Sequence, residues 1–286
     1  MPTYVSKILE NYILIEFQEN EDKTLARVLD TDDYWRKINE NCWKAPYSMK
    51  RAEFAKDFCG DPQKYLEYRC SSELLKLNRQ KELYNVLNEQ EIEYFVHFTN
   101  AQNLENIFKY GLLSVRELQN RGIEFVPNDM ERFDNKLGGI SLSVSFPNYR
   151  MFYKYQCTRK CDWVILLIDP RPILELKCNF CTKNAASIRM RKRISLNPVF
   201  DFKNMFCENS LTKSREKSGI PKKFTTDPQA EILVMEAIPL SAIQGICFRD
   251  KEAFEKYNYL LRGHGIKICI DETYFGKRMD YMYWGN

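Results

Sequence analysis

In the stretch DPQAEILV, residues 227–234, one carboxylate, Glu231, stands at the head of an otherwise apolar run. Asp227-Pro228 reads as a turn and Ile232–Val234 as a strand. A solvated strand end explains such an acid. So does a catalytic carboxylate held on a rigid element at the lip of a cleft. The chain has two histidines. His264 lies between glycines in RGHGIK, where a surface turn accounts for it. His97 lies near the end of the strand-like segment IEYFVHFT, two residues before Thr99, and an aromatic cluster, NYRMFYKY, follows at 148–155. A lone histidine can be a hydrogen-bonded structural residue; this one has company.

Acid, histidine and aromatic cluster together suit cleavage of the bond between nicotinamide and ribose in NAD, which leaves an oxocarbenium-like centre. A carboxylate can hold the ribose hydroxyls, stabilise the positive charge and take a proton from the incoming nucleophile. A histidine fixes the pose of the dinucleotide, and an aromatic ring stacks on nicotinamide. Such chemistry needs no glycine-rich phosphate loop, and the sequence has neither GxGxxG nor GxxxxGK[ST].

These residues must be positioned by a chain of 286 residues, enough for one large domain or two ordinary ones. Hydrophobic residues make up 44% and charged residues 29%, ordinary for a globular protein. The longest apolar run, WVILLI at 163–168, is strand-sized and far short of the roughly 20 residues of a membrane span. The N-terminus lacks a basic head and apolar core, so no signal peptide is read there and a cytoplasmic location is expected. The ten cysteines then read as buried thiols. Cys157, Cys161, Cys178 and Cys181 have zinc-like spacing, but WVILLI separates the pairs and no metal is expected. Net charge is +4, unevenly spread: residues 182–223 hold 11 Lys/Arg against three acids, including RMRKR at 189–193. Such clustering suits a phosphate polymer, as it also suits a solvated loop.

Residues 1–90 read as an N-terminal α/β extension. It has short strands at its start, a polar, aromatic-rich middle (DDYWRKINENCWKAPY) and helical periodicity from about 49 to 88. From 91 to 286 strands dominate: IEYFVHFT, the alternating ISLSVSF (140–146), WVILLI, AEILVMEAI, and two more strands toward the C-terminus. Helices interrupt them irregularly, the first capped by Asn100 and stopped by Gly111. This argues for an α+β class.

Four segments in order resemble the DNA ADP-ribosyltransferase toxins of the DarT family. They are HFTNAQNLENIFKYGLLS; SFPNYRMFYKY; WVILLIDP with NAAS at 184–187; and PQAEILVMEAIPLSAIQGI. The resemblance covers roughly residues 94–248. It implies an ADP-ribosyltransferase fold, a split antiparallel β-sandwich with flanking helices, and NAD-dependent transfer of ADP-ribose to a base of single-stranded DNA. It also implies a macrodomain antitoxin as partner. Glu231 would be the catalytic carboxylate. His97, Phe98 and Thr99 would contact NAD, with Asn103, Leu104 and Gly111 nearby. Tyr153 would lie against nicotinamide, with Phe152 and Tyr149 as alternates. Gln229, Lys213, Arg215, Lys222 and Lys223, in and beside a loop at 209–228, would meet the DNA. The family's active-site arginine would be Arg150, with Arg121 and Arg132 as other candidates. The loop at 117–139 departs from the thymidine-modifying members, which leaves both thymine and guanine open as the target. Transfer to RNA or protein, and a non-catalytic nucleic-acid-binding module, are the competing readings.

Overall fold

The computed structural model describes residues 4–8, 12–17, 35–39, 42–46, 77–127, 138–185, 187, 197–208 and 215–284. The chain divides into two compact units, 1–78 and 79–286. In the first, strands β1 (Tyr4–Ile8), β2 (Tyr12–Phe17), β3 (Arg36–Asn39) and β4 (Cys42–Pro46) form an antiparallel sheet in the order β1-β2-β4-β3. The polar, aromatic-rich middle of the extension thus contributes the β3–β4 hairpin. Ile15, opposite Trp43 in register, is buried with Trp43 and Ala45. The helical periodicity read from 49 onward falls outside the described residues until 77.

Helix α1 (77–89) runs across the division. Its Leu83, Val86 and Leu87 recur at helical spacing and are buried in the core of the larger unit. The division therefore falls within the first turn of the helix, and most of α1 belongs to the larger unit.

The larger unit is built on seven strands in the order β11-β10-β7-β5-β6-β9-β8. These are β5 (Phe95–Asn100), β6 (Ile140–Val144), β7 (Trp163–Ile168), β8 (Cys178–Cys181), β9 (Glu231–Val234), β10 (Ile243–Phe248) and β11 (Lys267–Ile270). All neighbours are antiparallel except β10 and β11. Strand β7, WVILLI, is buried along its whole length, as a strand covered on both faces must be. Its alternation sorts the core: Val164, Leu166 and Ile168 join one cluster, Trp163, Ile165 and Leu167 the other. Each of these side chains contributes roughly 1.5–3 kcal/mol of burial.

Helices cover both faces. Helix α2 (Leu104–Tyr110) follows a short turn capped by the Asn100 side chain, and α3 (Val115–Asn120) is capped by Ser114. Helix α4 (Tyr149–Thr158) puts Phe152 and Tyr155 on the Trp163 face. Helices α5 (Pro170–Glu175), α6 (Pro198–Asn204), α7 (Arg215–Ser218) and α8 (Lys251–Leu261) complete the α-helices of this unit among the described residues. The sheet order puts β5, β6 and β9 between β7 and β8, so the two cysteine pairs lie apart. Among the described residues no helix is long and apolar enough to cross a membrane.

The sheet is split in the middle. Strand β5 pairs with β7 over all six residues, Phe95 to Asn100, but with β6 only at Phe95–Val144 and Val96–Ser143. Past Val96 the two strands part, as the expected split antiparallel architecture requires. One corner of that split is set by Gly111, at the end of α2. Its backbone (φ 75°, ψ −173°) is open essentially to glycine alone. A Cβ there would lie 2.5 Å from the carbonyl oxygen of Ile238, because Leu112 and Ile238 exchange two backbone hydrogen bonds. Gly111→Ala is therefore expected to destabilise the larger unit by roughly 2 kcal/mol or more, read as a lower denaturation midpoint.

Candidate active site

Where β5 and β6 part, a cleft of about 420 Å³ opens, within the range of small-molecule sites. Val96 and Phe98 reach it from one face of β5, His97 and Thr99 from the other. Both faces contribute because β5 has lost its neighbour there. Across the split, the His97 ring donates from Nδ1 to the carbonyl oxygen of Ser141, at 2.8 Å. A carbonyl only accepts, so Nδ1 carries the proton.

The same residue holds the acid. The Ser141 hydroxyl donates to Oε2 of Glu231 at 2.8 Å, and Glu231 is only 5% exposed. A solvated strand end is excluded by that burial. Ser141 thus ties the histidine to the carboxylate through one residue, its carbonyl to one and its hydroxyl to the other. The sequence carried its signal: in ISLSVS the residues Ile140, Leu142 and Val144 fill the core, while Ser141 and Ser143 line the cleft. A serine face on a strand whose other face is apolar marks a polar wall.

Of the residues expected at the site, His97, Phe98, Thr99, Asn103, Gly111, Arg150, Gln229 and Glu231 line this cleft. Asn103 braces its rim: its Nδ2 donates to Thr99 Oγ1 (3.0 Å) and to the Val126 carbonyl (2.8 Å), and its Oδ1 accepts from Val126 N–H (2.8 Å). Others are placed elsewhere. Leu104 is wholly buried in the core beneath α2, the inward side of its amphipathic pattern. In α4 the helical period sends Arg150, Met151 and Lys154 to the cleft and Tyr149 and Phe152 to the interior. Tyr153 falls between these faces and is 60% exposed to solvent. The phenyl and phenol rings on the cleft are instead Phe98, Phe125 and Tyr155, with the Phe98 and Tyr155 centroids 6.1 Å apart. Phe98 is itself stacked on Phe152 at 4.6 Å, so Phe152 supports the wall from behind.

The basic residues expected to meet DNA also separate. Lys213 and the RMRKR run lie outside the described residues, as does Arg132. Arg121 pairs with Glu117 within one helical turn. Lys222 lies at the surface, 3.3 Å from exposed Glu91, and Lys223 does not line the cleft. Arg215 turns inward. Its guanidinium donates to the carbonyls of Phe224 (2.8 Å), Pro221 (3.2 Å) and Lys222 (3.3 Å), and to Thr226 Oγ1 (2.9 Å). Those carbonyls have no strand to pair with, and a planar five-donor group satisfies several at once.

A second arginine, not anticipated from the sequence, holds the same loop. Arg278 is 2% exposed and forms a two-pronged pair with the fully buried Asp280, at 2.6 Å in each prong. It also donates to the carbonyls of Thr225 (2.9 Å) and Thr226 (3.4 Å). The loop then turns at Asp227, whose Oδ1 accepts from Gln229 N–H at 2.8 Å. Burial pushes the Asp227 carboxyl above its ordinary range, against the pull of that N–H and of Lys183, Arg278 and Arg150. The turn delivers Gln229 and Glu231 to the cleft wall. Arg278→Ala would remove the two-pronged partner of the fully buried Asp280 carboxylate and is expected to cost about 3–5 kcal/mol. Replacing both partners together by apolar residues of similar volume should cost far less, as chemical denaturation of the three proteins would show.

Residues 96–276 match the family described as DarT, ssDNA thymidine ADP-ribosyltransferase. No curated protein sequence matches the chain. Among solved structures, the chain is similar to Thermosipho africanus DarTG in complex with ADP-ribose, at 16% identity and a TM-score of 0.47. The match covers 64% of this chain and 51% of that one, so the chain spans about half of the DarTG length. Thermus sp. 2.9 DarT in complex with NAD+ is similar at 16% identity and a TM-score of 0.45, covering 65% and 98% of the two chains. The same Thermus protein in complex with ADP-ribosylated ssDNA gives 16%, 0.44, 65% and 97%. The family match takes in well over half the chain and every cleft residue named above: the chain belongs to the DarT family of NAD-dependent ADP-ribosyltransferases that act on single-stranded DNA.

Proposed function

We propose that this chain transfers ADP-ribose from NAD to thymidine in single-stranded DNA, with Glu231 as the catalytic carboxylate. One observation carries the reading. Glu231 is buried, fixed by the Ser141 hydroxyl, and shares a cleft wall with His97 and Arg150. The choice of thymidine rests on the family's description.

The donor set fits NAD. The cleft offers an aromatic wall at Phe98 and Tyr155, the His97 ring, and a guanidinium at Arg150 for negative charge. NAD supplies a glycosidic bond whose cleavage sends an electron pair to nicotinamide and leaves positive charge on the ribose. Glu231 faces that charge from a low-dielectric wall, where a fixed carboxylate is most effective. His97, locked through Nδ1, presents one ring face and one ring nitrogen in a constant orientation. In thymidine the free ring nitrogen bears one proton. As that nitrogen bonds to the ribose carbon the proton must leave, and Glu231 accepts it. A single-stranded substrate avoids the few kcal/mol needed to unstack a paired base.

The same reading makes the chain the toxin of a pair, acting in the cytoplasm, with a macrodomain protein that removes the mark as its antitoxin. This part rests on the four segments that resemble the family.

The test is incubation with NAD and four single-stranded oligonucleotides, each lacking one base, read by intact mass. An ADP-ribose gain on all but the thymine-free strand is expected. A gain missing only without guanine would contradict the choice of base, and turnover confined to RNA or protein would contradict DNA as acceptor. Glu231→Gln keeps an acceptor for the Ser141 hydroxyl while removing the charge. It should lower transfer by roughly 10²–10⁴-fold with the melting temperature unchanged.

A further inference from the structure

We propose that Asn148 is a ligand-binding residue of the cleft, its side-chain Nδ2 donating to a neutral carbonyl oxygen of a bound substrate. The proposal rests on the reading of the cleft given above and deepens it.

Asn148 lines the cleft and is 2% exposed. Three of its polar groups are committed. Its Oδ1 accepts from Met151 N–H (3.3 Å) as the cap of α4, its backbone N–H donates to Ser143 Oγ (3.1 Å), and its carbonyl accepts from Phe152 N–H (2.9 Å). The Met151 contact fixes which way the amide faces, because a backbone N–H can bond only to the amide oxygen. The Nδ2 group is therefore the one turned away from the helix, and it has no partner among the described residues. Buried amide donors without partners are rare in folded proteins, and a donor on a cleft wall is where a ligand supplies the partner.

The chain holds this residue firmly. Ser145, three positions earlier, has a left-handed backbone (φ 59°), and its N–H donates to the Tyr94 carbonyl at 3.1 Å. The turn from β6 into α4 is thereby pinned on both sides of Phe146 and Pro147. The chemistry of the donor narrows the acceptor. Arg150, two residues on and on the same cleft, is the group suited to phosphate or carboxylate. An uncharged N–H suits an uncharged oxygen. The nicotinamide carboxamide and the carbonyls of thymine share that chemistry.

The test separates the donor from the cap. Serine and aspartate both cap helices well, so Asn148→Ser and Asn148→Asp retain the bond to Met151. Serine loses the amide donor, and aspartate replaces it with an acceptor. Steady-state transfer from NAD to a thymidine-containing single strand is measured for both, with melting temperatures. We expect kcat/KM to fall about tenfold or more in Asn148→Ser, with a melting temperature near the wild type, and further in Asn148→Asp, whose buried carboxylate also lowers the melting temperature. A loss carried by KM for NAD identifies the carboxamide as acceptor, and one carried by KM for the oligonucleotide identifies the base. Either supports the proposal. Both variants within twofold of wild type would overturn it, as would losses that track melting temperature alone. Wild-type protein that turned over no NAD would refute the reading of the cleft, and with it this proposal.

Discussion

The site depends on a failure of pairing. A β-strand normally satisfies its backbone through both neighbours, and β5 does so with β7 along its full length but with β6 at only two positions. Beyond Val96 the backbone groups and side chains of both strands face an opening instead of each other. That opening is the cleft. The first interaction to cross it is the His97–Ser141 hydrogen bond, and Ser141 passes the connection on to Glu231. The reactive groups are thus fixed by strand edges already anchored in the two core clusters, with no separate scaffold needed.

The second constraint acts on the loop that leads to Glu231. A segment with few backbone partners of its own is held by two guanidinium groups, one from α7 and one from the C-terminal stretch. Arg278 and Asp280 lie just past the residues matched by the family, 96–276. The anchor on this loop therefore belongs to the end of this chain as much as to the family's common frame. A buried ion pair is weak evidence for net stability; here its clearer role is geometric, since it satisfies carbonyls that would otherwise be buried without donors.

Much of this was legible in the sequence where periodicity and burial agree. WVILLI reads as a central strand because it is apolar throughout, and the structure buries it on both faces. Asn100 and Gly111 bracket the helical segment that follows β5 because capping and a positive φ leave clear residue choices. Glu231 stood out as a candidate by its place at the head of a strand, and His97 by the residues around it, although β5 runs three residues beyond His97. What was not legible required knowing which way a helix is rotated. In NYRMFYKY the candidates Tyr149, Phe152 and Tyr153 could not be ordered by type, and rotation sent Arg150, Met151 and Lys154 to the cleft instead. Arg215 misled for a related reason: a basic residue in a polar loop reads as solvated, yet a loop short of backbone partners draws the nearest guanidinium inward. Ser141 carried a signal in its alternation, but its link to an acid ninety positions later is set by strand order alone.

The central claim is that NAD lies in the opening between β5 and β6. Hydrogen exchange of the wild-type protein with and without NAD tests it most directly. Added protection is predicted at 97–99 on β5, at 139–143 around β6 and at 229–231 ahead of β9. Protection confined to other parts of the chain, with these three segments unchanged, would contradict the account.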